Sequence, residues 1–104
     1  MLERFLDHLR AVDPRNQGDL DTGEFVVWGA DQRHAVVHLD PSELERAVSE
    51  RALQANGLWP DAPPELVGFR LLSIHLIEEI DSGPPPASKL RLRNGEIVTD
   101  GEER

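Results

Sequence analysis

The sequence predicts an α+β domain, a small mixed sheet with helices packed on it, and three features carry that prediction. Two β-branched runs, "EFVVWG" and "HAVVHLD", lie close together and read as a hairpin over 24–39. Directly after them, "DPSELERAVSERALQANG" has the start and stop signals of a helix. Near the end, "KLRLRNGEIVTD" alternates on either side of Asn-Gly, the signature of a two-residue hairpin turn over 88–99.

Taken in chain order, Leu2, Phe5, Leu6, Leu9 and Val12 fall at helical spacing before Pro14, which predicts a helix over 2–12. "DPRNQGDLDTG" is polar and turn-rich and reads as a loop. The first hairpin then has strands at 24–29 and 34–39 joined by "ADQR". Side chains alternate across a strand, so Ala35, Val37 and Leu39 share one face, and His34, Val36 and His38 the other. Phe25 and Val27 likewise oppose Val26 and Trp28.

The helix over 41–55 follows from local chemistry. Asp40 is placed to cap it, Pro41 suits the first helical position, and Glu43 completes a capping-box-like arrangement. Leu44, Ala47, Val48, Ala52 and Ala55 form its apolar stripe, and Asn56-Gly57 ends it. "LWPDAPPEL" is a proline-marked connection.

"LLSIHLIEEIDSG" is the most apolar stretch and admits two readings. Apolar residues on both sides suit a central strand near 70–77. A helix over 66–81 would set Glu78, Glu79 and Asp81 against its own negative end and put Gly68 in its interior. The strand is the preferred reading, which makes the segment after Leu39 a right-handed βαβ crossover. "SGPPPAS" is a second proline loop. In the closing hairpin Arg93 should pair with Glu96 and Leu92 with Ile97, leaving "GEER" as a frayed tail.

Composition bounds the function. A chain of 104 residues suits a single domain over 1–104 with one modest core. Its formal net charge of −9 repels phosphate backbones and anionic membranes, so no nucleic acid and no membrane is expected as partner. Without cysteine there is no disulfide framework, thiolate zinc site or Cys nucleophile. No apolar run has signal-peptide or membrane-spanning length, and a cytoplasmic protein is expected. A single lysine among 11 basic residues, beside abundant Ala, Arg, Pro and Gly, points to a GC-rich bacterial genome.

No catalytic constellation stands out. The serines lack a nucleophile elbow, and no glycine-rich phosphate loop is present. No cofactor is expected. Two alternatives have named residues. If the strand near 70–77 lay beside the second strand of the hairpin, His34, His38, His75 and Glu79 would form a transition-metal site. The stretch from Asp13 to Glu24 resembles the EF-hand calcium loop, with Gly18 sixth, Leu20 eighth, Asp21 ninth and Glu24 twelfth. Arg15 and Gln17 stand where that loop needs oxygen ligands, and "FVVWGADQ" exits as a strand. By exclusion the sequence favours a non-catalytic interaction or regulatory module. Its surface would be Val26, Trp28 and Val36, and its partner another protein or a second copy, unless the helix over 2–12 covers that face.

Overall fold

Amphipathic spacing builds the first helix, α1 (Leu2–Val12), which buries Phe5, Leu6 and Leu9. The structure is a computed structural model and describes residues 1–55, 58–82 and 89–100. Strand β1 (Gln17–Asp19) pairs with β2 (Glu24–Trp28), and β2 with β3 (His34–His38), both antiparallel. Helices α2 (Pro41–Gln54) and α3 (Pro64–Asp81) follow. The hairpin of β4 (Lys89–Arg93) and β5 (Glu96–Asp100) completes a five-stranded sheet in the order β1-β2-β3-β4-β5, with β3 and β4 parallel. The chain is thus an α+β fold whose helices pack against a mixed sheet.

Local signals act where the sequence places them. The Asp40 carboxylate accepts the Ser42 amide at 2.9 Å and the Glu43 amide at 3.4 Å, the N-cap geometry. Asn94 (φ 54°) and Gly95 (φ 83°) both adopt the left-handed conformation a type I′ turn requires. They set Arg93 opposite Glu96 and Leu92 opposite Ile97. The stop at Asn56-Gly57, the proline loop over 83–88 and the tail over 101–104 lie outside the described residues.

Two expectations are corrected. The strand expected near 70–77 is the middle of α3, so the parallel partner of β3 is β4, reached through two helices. Apolar residues surround α3 because it is walled on several sides. Phe69 meets Phe5 of α1 with ring centroids 5.5 Å apart, and Leu72, Leu76 and Ile80 join the common core. The charges that seemed to oppose a helix have another use. Asp81 accepts the amides of Ala30 and Asp31 at 3.2 and 3.3 Å, tying the end of α3 to the β2–β3 turn. The second correction is β1, expected as loop. Its three residues carry no apolar pattern and are held by backbone pairing to β2.

The core lies on one side of the sheet. Phe25, Val27, Ala35, Val37, Leu90 and Leu92 face inward and share one buried cluster with Phe5, Leu9, Leu44, Val48, Phe69, Leu72 and Leu76 from the helices. Among the described residues, no helix is long and apolar enough to cross a membrane.

The helix layer depends on Gly68. A Cβ there would collide with the Val48 carbonyl oxygen and approach Val48 Cγ1 to 2.6 Å. Gly68→Ala should therefore lower stability by about 1–3 kcal/mol through overpacking, despite the roughly 1 kcal/mol that alanine gains in a helix interior. Urea denaturation checks it. A more stable variant would show that α2 and α3 do not touch at this point.

Candidate outer-face interaction surface

Strand alternation that sends one set of side chains into the core sends the other set outward. On β2 these are Glu24, Val26 and Trp28, on β3 His34, Val36 and His38, and on β4 Lys89, Arg91 and Arg93. Cross-strand register orders them into rows. Asp19, Glu24, His38, Arg91 and Val98 form one row across the sheet, and Gln17, Val26, Val36 and Lys89 the next. Trp28 lies opposite His34 at the end of the face.

The structure brings the three residues of the expected surface together: Val26 and Val36 are direct cross-strand partners, and both, like Trp28, are half-buried on the outer face. No helix among the described residues packs over them. The helix over 2–12, which could have screened this face, packs into the core on the opposite side.

One end of the face is organised by Arg15. Its guanidinium lies 4.1 Å from the Trp28 ring centroid, and the Trp28 ring is 4.5 Å from that of His34. The same guanidinium donates to Asp13 Oδ2 at 2.8 Å and Gln32 Oε1 at 2.9 Å. The hydrogen bonds from Arg15 hold the Asp13 carboxyl below its ordinary range. Beneath this end, buried Asn16 accepts the Trp28 amide at 2.8 Å and donates to the Leu9 carbonyl at 2.8 Å. It fixes the end of α1 to the strand that carries Trp28. Across the face, Lys89 reaches over β3 to Glu24 at 3.0 Å.

The metal alternative is not assembled. His34 and His38 lie on the outer face, but His75 and Glu79 belong to α3 on the other side of the sheet. The expected adjacency required a strand near 70–77. His75 Nδ1 instead accepts from Arg51 Nε at 2.9 Å. The residues of the calcium-like loop make local contacts instead. Asp13, its first position, is engaged by Arg15, and Asp19 accepts the Asp21 amide at 2.9 Å in a local turn. Among the described residues, no group of three or more His, Asp or Glu converges as a metal site.

One Ser–His pair exists that the sequence did not suggest. His8 Nε2 lies 3.3 Å from Ser73 Oγ. The hydroxyl is buried and gives its proton to the Arg70 carbonyl at 2.8 Å, so it accepts from His8 and is not poised as a nucleophile. Burial first, and the Arg70 charge second, hold His8 below its ordinary pKa of 6.5.

Sequence reasoning also passed over Arg15, Asn16 and the basic outer face of β4. The last was legible, since "KLRLR" alternates strictly. Arg15 and Asn16 act through partners that only the fold brings near. No family model, curated protein or solved structure matches the chain.

The His8 environment predicts a pH effect. A histidine kept neutral in the fold contributes stability fully above the unfolded pKa of 6.5, and that contribution is lost as pH falls toward the lower folded value. Thermal melts at pH 5 and 7.5 should show a smaller acid-induced drop for His8→Gln than for the parent. An equal drop would remove His8 as a source of acid sensitivity.

Proposed function

We infer that this protein is a non-catalytic interaction module that docks another protein surface on the outer face of its sheet. One observation carries this reading. Every helix packs on the inner face, while Val26, Val36 and Trp28 form an apolar centre on the uncovered side. Glu24, Lys89 and Arg91 border that centre, giving the apolar core and charged rim of protein interfaces. Trp28 stacked with Arg15 pairs two residue types that dominate interface energetics. The net charge of −9 favours a protein over a nucleic acid as the occupant.

A photo-crosslinking residue at Val36, compared with one at Ile74 on the exposed side of α3, tests this in the native cell. A discrete protein adduct from position 36 and none from position 74 is expected. No adduct from position 36, or equal adducts from both, would defeat the reading.

A further inference from the structure

The outer face is polarised across its strands. Asp19 and Glu24 project from β1 and β2 on one side of β3, and Lys89, Arg91 and Arg93 from β4 on the other, with Glu96 of β5 opposite Arg93 beyond them. Between them runs β3 with Val36 and His38. With acid on β1 and β2, a line of cations on β4 and Val36 between them, the face complements itself under one symmetry operation. A twofold axis in the plane of the face, parallel to β3, lays each flank on the opposite flank of the second copy. An axis perpendicular to the strands would lay acid on acid and base on base.

We propose that the occupant of the outer face is a second copy of this chain, related by a twofold axis running along β3. This rests on the outer face being a docking surface and adds the identity and orientation of what docks. Register gives the contacts. Rotation about β3 keeps each row at its own level and reverses its order. Glu24, which within the single chain pairs with Lys89 at 3.0 Å, therefore turns to Arg91 of the second copy, and Arg91 to the second Glu24. Val36 packs on its symmetry mate at the axis, and Val26 covers the aliphatic stem of Lys89. Arg91 has no ion-pair partner among the described residues, so the interface would supply one. Two sheets packed face to face within about 30° of parallel are a standard arrangement.

Size sets the expected strength. Strands about 4.8 Å apart rising about 3.4 Å per residue give a five-by-five face a footprint of about 400 Å². That is about half of the 800 Å² or so per partner in a standard interface, so a weak association in roughly the micromolar range is expected.

Sedimentation of the full chain from about 1 to about 200 µM covers that range. The parent should approach twice the 11.7 kDa chain mass. Glu24→Arg and Arg91→Glu should each weaken the dimer by about tenfold or more, because each creates two like-charge contacts. An equimolar mixture of the two variants should dimerise again, because every cross-copy contact then joins Arg to Glu. A fold defect cannot produce that rescue, and circular dichroism of each variant monitors folding directly. A parent that stays monomeric, or a dimer indifferent to both substitutions, overturns the proposal. A monomeric parent whose position-36 crosslinker captures a chain of another mass would remove the second copy and leave the docking face standing. A monomeric parent with no adduct removes both.

Discussion

The close approach of α2 and α3 at Gly68 is the constraint on which the remaining architecture depends. A glycine in the interior of a helix costs about 1 kcal/mol in conformational entropy relative to alanine. Here it lets the Val48 backbone pass where a side chain would stand. With α2 and α3 drawn together, and α1 joined through Phe5 and Phe69, three helices fit over one face of the sheet. The other face is left over. The open surface is thus a consequence of how the core is packed.

Buried polar contacts hold that surface in register. Arg51 is almost wholly buried on α2 and donates to the Ala47 carbonyl at 3.1 Å, the Gly95 carbonyl at 2.7 Å and His75 Nδ1 at 2.9 Å. One side chain thereby joins α2, α3 and the tip of the β4–β5 hairpin. Burial pushes the guanidinium down from its usual range, with Glu50 and Glu96 acting in the opposite sense. Glu43 accepts the Asn94 amide at 3.0 Å, which fastens the same tip a second time. Asn16 and Asp81 do comparable work at β2 and at the β2–β3 turn. No buried side-chain nitrogen or oxygen among the described residues lacks a partner, so these ties carry no unpaired cost.

How much of this was legible follows from the range of each interaction. Asp40, Pro41 and Asn94-Gly95 act within a few residues, and their helix and turn lie where the sequence puts them. The outward set Val26, Trp28 and Val36 follows from alternation, which is also local. Helix α3 was misread because the features set against it are answered from afar. Gly68 is explained by Val48, twenty residues earlier, and Asp81 by the amides of Ala30 and Asp31. The histidine cluster failed for the same reason. Whether His75 lies beside His38 depends on which segment neighbours β3, and no local pattern specifies that.

The distribution of charge connects the fold to the surface it exposes. The three helices carry nine acidic residues against five basic ones, whereas the five strands carry four against three. The acidic surplus therefore belongs mostly to the helices and the connections rather than to the strands. A shell of net negative charge opposes the approach of a like shell through its own field. A nearly balanced face lacks that repulsion, and at moderate ionic strength charge on the far side of the sheet is screened beyond about 10 Å. Contact between two such molecules is therefore least opposed on the one side that packing left open. In the proposed pairing, the alternation of "KLRLR" would place its cations against the acidic flank of β1 and β2 of the second copy, with the direction of docking set by the order of the strands.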